Sequence, residues 1–143
     1  MTRMMGRLVA AMCFGGFACG LSAPASAQSA VSVSMVLQDF SDCTNANVQD
    51  NHGGAPGGTV WIVRNGDGST DFKVGISATP LTTYNFYLKC VRQLGTIKTD
   101  EDGSGEGIFT VPAGGVGGVF AFDMYPDGAP AGNKFQSVQV RLN

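Results

Sequence analysis

Histidine is nearly missing from this sequence, with a single residue, His52, in 143. One imidazole cannot build copper or copper–zinc centres that need two or more, so no cofactor is expected. A serine hydrolase would have to take His52 as its base, with Asp50 as the nearest orienting acid, and no G-x-S-x-G turn is present to carry a nucleophile. In the loop DNHGGAPGG the residue reads as a solvated side chain. A small secreted hydrolase built around His52 is the competing class, and the expectation is that the protein is not an enzyme.

Charge is equally sparse, at 14% of residues, and the positive part is not clustered. Residues 28–143 hold seven Lys or Arg against eleven Asp or Glu, a net charge of −4. That balance excludes nucleic acid and anionic lipid surfaces as partners, since both demand grouped cations. Sustained apolar residues at helical spacing are absent too. The one long apolar run, Leu8 to Leu21, is broken by Gly15, Gly16 and Gly20 and is too short for ~30 Å of hydrocarbon. With Arg3 and Arg7 before it and Ala25-Ser26-Ala27 after it, the run has the three-part layout of a signal peptide, residues 1–27. Residues 28–143 then form one domain, secreted or periplasmic, with no transmembrane segment in the mature chain.

Of four cysteines, Cys13 and Cys19 leave with the signal peptide. In an oxidising compartment the remaining pair, Cys43 and Cys90, reads as a disulfide. It closes a loop of about 48 residues, for which chain entropy gives about 4 kcal/mol. A redox or metal thiol pair would prefer a CxxC spacing.

What the sequence has in quantity is period-two alternation. VSVSMVL sets Val31, Val33, Met35 and Leu37 on one face, and TDFKVGIS does the same with Phe72, Val74 and Ile76. TYNFYLKC puts Tyr84, Phe86, Leu88 and Cys90 inward and Asn85, Tyr87 and Lys89 outward. VFAFDM separates Phe120, Phe122 and Met124 from Val119, Ala121 and Asp123, and FQSVQVRL places Val138, Val140 and Leu142 opposite Ser137, Gln139 and Arg141. TVWIV, LGTIKT and GIFTV raise the total to about eight strands, punctuated by NGDGS, EDGSG, PAGGVGG and PDGAPAGN. The fold expected is all-β, a two-sheet Greek-key sandwich of about 7–8 strands, with a small closed β-barrel as the alternative.

Pro80, Thr82 and Tyr84, in TPLTTYNFYLKCV, are spaced as a P-x-T-x-Y corner. The stretch resembles secreted immunoglobulin-like and fibronectin III-like sandwiches, where such a tyrosine bonds back to the chain as it crosses between sheets. The resemblance implies a structural corner role for Tyr84. It covers about thirteen residues, and four more strands follow it where the fibronectin pattern has one, so neither strand order nor adhesive function is carried over.

Three other features bear on chemistry. TDEDGSGEG places Asp100, Asp102 and Ser104 on the first, third and fifth positions of a calcium loop, with Gly105 on the sixth. The twelfth position, however, is Val111, and strands rather than helices flank the loop, leaving an acidic hairpin turn able at most to hold calcium weakly. As a glycosidase pair, Asp67, Asp71, Asp100, Glu101, Asp102 and Glu106 all lie on surface turns with no apolar pocket to separate their pKa values. Trp61 and Val63 on one strand, and Tyr87 and Val91 on another, are candidates for an aromatic binding patch suited to a protein or glycan partner, unless loops cover those faces. The function expected is an exported, non-catalytic binding or structural protein.

Overall fold

Alternation of this kind hides one side of a strand and wets the other, and in the computed structural model it yields ten strands and no helix among the described residues, 30–50, 54–129 and 134–142. The elements are β1 (Ala30–Leu37), β2 (Gly57–Arg64), β3 (Thr70–Ser77), β4 (Thr83–Leu88), β5 (Arg92–Lys98), β6 (Ser104–Val111), β7 (Val119–Phe120), β8 (Phe122–Tyr125), β9 (Phe135–Ser137) and β10 (Val140–Arg141). The expected signal peptide and His52 lie outside the described residues. No helix among the described residues is long and apolar enough to cross a membrane.

Eight strands form one antiparallel sheet in the order β5-β4-β8-β9-β1-β2-β3-β6, and β7 pairs with β10 as a separate ribbon. The sheet curls round a single core until its edge strands, β5 and β6, come together. Sandwich and barrel thus merge: two facing layers share one sheet that is nearly closed. At the seam the ring of Phe109 lies over Gly95, where a Cβ would fall 2.4 Å from a ring carbon. Phe109 continues inward by stacking on Phe86, centroids 5.2 Å apart.

The core takes its shape from aromatic rings. Phe72, Phe86 and Phe122 are fully buried, with Phe122 5.0 Å from Phe72 and 5.1 Å from Phe86. Val60, Ile62, Val74, Leu88, Met35 and Met124 fill the space between them.

The sheet departs from strict alternation where both of its faces are covered. Ala121 and Asp123, expected on the solvent side, are buried along with Phe120, Phe122 and Met124. The run VFAFDM is also split at Ala121, and FQSVQVRL is split between β9 and β10. Ser137 sits at the break, accepting from the Phe122 N–H at 2.9 Å and donating to the Val138 carbonyl. A side chain there replaces a ladder bond, which lets the chain leave one sheet for the other.

Cys90 is not core-facing as expected. β4 ends at Leu88, Cys90 turns with φ 58°, and both it and Cys43 are exposed. The disulfide Cys43–Cys90, Cα atoms 5.5 Å apart, therefore lies on the surface. Lys89, expected outward into water, is buried instead.

Tyr84 stands where the chain passes from β3, in one layer, to β4, in the other, through five residues. Its hydroxyl accepts the Thr79 N–H at 3.1 Å, and Thr99 ties the same turn to the Thr79 and Thr82 carbonyls. Replacing Tyr84 with Phe removes this part-buried bond and leaves the Thr79 N–H without that acceptor, so a loss of about 1 kcal/mol is expected in urea unfolding. An unchanged midpoint would show that the hydroxyl contributes nothing to this crossing.

Candidate functional site

The outer surface of the curled sheet has two sides with opposite fates. On the half formed by β4, β8, β9 and β1, one register row runs Tyr87, Asp123, Gln136, Val36. Gln136 and Val36 are almost completely buried there, because the segment after β1, held down by the disulfide, packs across the strands. Gln136 fixes that segment through both amide groups, donating to the Phe40 carbonyl and accepting the Phe40 N–H at 2.9 and 2.8 Å.

Beneath the same segment sits a polar cluster. Lys89 Nζ donates to Asn45 Oδ1 and to the Phe40 carbonyl and lies 3.6 Å from Asp123 Oδ1. Asn45 Nδ2 donates to the Ser137 and Phe122 carbonyls at 2.9 and 3.3 Å. Asp123 Oδ1 is buried and has no hydrogen-bond partner among the described residues. Burial pushes the Asp123 carboxyl above its ordinary value, opposed mainly by the Lys89 charge. Alternation assigned Lys89 and Asp123 to solvent and so missed this cluster. The readable signal was an acid inside the apolar run VFAFDM.

Tyr87 belongs to the rim of this half. It stacks on Tyr125 at 4.9 Å, Lys134 approaches the Tyr125 ring at 5.1 Å, and Asn85 links Asp127 and Gln93. Burial, then the bond to Tyr125, pushes the Tyr87 hydroxyl up. Val91 is exposed in the adjoining turn.

Over the other half, β1, β2, β3 and β6, no such cover is present among the described residues. Its central row reads Ser32, Trp61, Lys73, Ile108, flanked by Ser34, Thr59, Gly75, Glu106 on one side and Ala30, Val63, Asp71, Thr110 on the other. Trp61 is 41% exposed, the outer edge of its indole lies beside Gly75, whose lack of a side chain leaves room for it, and Lys73 Nζ is 5.9 Å from the ring. Beside the ring a trough of about 350 Å³ is lined by Thr59, Ser77, Ser104 and Glu106 over glycine backbone. Asp71 accepts from Thr110 at 2.6 Å and from Asn65 at 3.0 Å, bonds that hold its carboxyl below the usual range.

Trp61 and Val63 are thus neighbours on the open face. Tyr87 and Val91 are not part of it, since β8, β9 and β1 separate β4 from β2. Thr59, Gly75 and Glu106, which complete the surroundings of Trp61, come from register and were not readable along the chain.

The acidic loop turns back on itself. Asp100 Oδ1 accepts the N–H groups of Asp102 and Ser104, both at 2.9 Å, and the Gly103 N–H bonds to the Asp100 carbonyl. Asp100 therefore spends one carboxylate oxygen on its own hairpin. Among the described residues no group of three or more His, Cys, Asp or Glu side chains gathers in a way that could hold a metal ion. Compared with protein-family models, curated proteins and solved structures, the chain matches none.

Proposed function

We propose that this is an exported, non-catalytic binding domain that recognises a glycan on the open face of β1, β2, β3 and β6. The observation that carries the reading is Trp61, an indole whose outer edge rests beside Gly75 and whose side chain is exposed. Uncovered aromatic surface costs solvation free energy and marks interaction sites. A planar ring bordered by hydroxyls and a carboxylate offers a sugar both of the things it needs, a surface for its C–H face and acceptors for its hydroxyls. Thr59, Ser77, Ser104 and Glu106 supply the polar border. Export is supported by the leader-like residues 1–27 and by a disulfide, which persists in oxidising compartments.

A glycan array probed with wild type and with Trp61→Ala tests the reading. Wild type is expected to bind a defined set of glycans, with indole fluorescence shifting on titration, and the variant to bind at least about tenfold more weakly, the loss expected from about 1.4 kcal/mol of ring contact. Equal binding by both proteins, or a fluorescence spectrum unmoved by every bound glycan, would remove Trp61 from the site.

A further inference from the structure

Three side chains that protein chemistry normally keeps in water meet under the segment after β1: Asn45, Lys89 and Asp123 are 1%, 8% and 8% exposed. A buried ion pair is costly unless every remaining polar atom is satisfied, and Asp123 Oδ1 has no hydrogen-bond partner among the described residues. Hydrogen bonding alone therefore leaves this cluster incomplete.

The arrangement is that of a nucleophile, an electrophile and a proton carrier. Lys89 Nζ is anchored by the Phe40 carbonyl at 2.6 Å and donates to Asn45 Oδ1, so the carboxamide carbon is one bond beyond its present contact. The carboxamide is held on its other side by the Ser137 and Phe122 carbonyls. Asp123 stands within ion-pair distance of the amine. Holding reactants at this range with water excluded removes most of the entropic barrier to a bimolecular step.

We infer that Lys89 and Asn45 form an intramolecular amide cross-link, with Asp123 carrying the protons. The ammonium first passes one proton to the Asp123 carboxylate. The free amine attacks Asn45 Cγ, forming the Cγ–Nζ bond, and Asp123 relays the surplus Nζ proton to Nδ2. The Cγ–Nδ2 bond then breaks and ammonia leaves, taking the remaining proton from Asp123 as ammonium. One C–N bond replaces another, nothing is oxidised or reduced, and the buried cation is gone. Burial, which raises the Asp123 carboxyl, also favours the neutral acid needed at the attack step. The cross-link spans nearly the same stretch of chain as Cys43–Cys90, two residues from one cysteine and one from the other, and it withstands reductants that open the disulfide.

Peptide mapping of the exported protein, reduced and alkylated before trypsin digestion, decides the matter. The expected result is that the peptides bearing Asn45 and Lys89 remain joined after reduction, with no cleavage after Lys89 and a combined mass lower by one ammonia. Separate peptides, with Lys89 open to an amine reagent in denaturant, would overturn the cross-link. So would an ammonia deficit that maps only to cyclised Gln28, the residue after the expected cleavage point. The isosteric Asp123→Asn variant tests the carrier: the joined peptide is expected to form about 100-fold more slowly, in the range of a lost general acid–base group. Formation at the wild-type rate would remove Asp123 from the role. The wild-type map stands by itself if that variant does not fold.

Discussion

Truncating Phe122 to alanine is expected to lower stability by about 3–5 kcal/mol, the range for a deeply buried phenylalanine that leaves a cavity. Phe122 is fully buried at the start of β8 and touches rings on three sides, Phe72, Phe86 and Phe120, with centroids 5.0, 5.1 and 5.5 Å away. Phe72 comes from β3 and Phe86 from β4, so this one side chain joins the two layers of the curled sheet. Its neighbours cannot easily close the gap, because each is already fixed by its own strand. Urea unfolding checks the value. A loss under about 1.5 kcal/mol would mean that the surrounding rings collapse into the space and that the aromatic cluster is plastic.

Gly103→Val, in the turn of the β5–β6 hairpin, is expected to cost about 3 kcal/mol, and the glycine there is itself buried. Two independent penalties combine there. The residue has φ 83°, a conformation that costs a residue with a Cβ roughly 1–2 kcal/mol and a branched one more. A Cβ would also fall 2.2 Å from the Ala78 carbonyl oxygen, so the backbone has to move, and forced shifts of that kind typically cost about 1–3 kcal/mol. The same contact region holds the Ala78 N–H on the Gly103 carbonyl at 2.8 Å, a bond the shift would break. Thermal unfolding provides the check. A melting temperature within a degree or so of wild type would show the hairpin to be free to rearrange, and would return the acidic loop to consideration as a flexible ligand site.

These two positions mark what could and could not be read from the chain. Phe122 was legible, since alternation in VFAFDM places it inward. The turn at Gly103 was legible as an Asp/Gly hairpin, and half of a calcium template was present in Asp100, Asp102 and Ser104. What decided its geometry was the approach of Ala78 from the β3–β4 crossing, a contact distant along the chain. Trp61 was likewise visible as a candidate for an aromatic binding patch. Which side stays open was fixed by the segment that covers the other half of the sheet.

The sequence by itself determined that the protein is all-β, pointed to the pairing of Cys43 with Cys90, and showed that these 143 residues supply only one imidazole. Each follows from local periodicity or from composition, which act within a few residues or as simple counts. Only the tertiary structure decided that the sandwich is one sheet curled nearly shut, that Lys89 and Asp123 are buried against Asn45, and that Trp61 and Tyr87 face different surroundings. Alternation says that a strand has two sides, whereas burial of each side depends on which distant segment packs over it. Asp123 and Trp61 both point outward from the same sheet, and only the covering segment makes one buried and the other a surface for recognition.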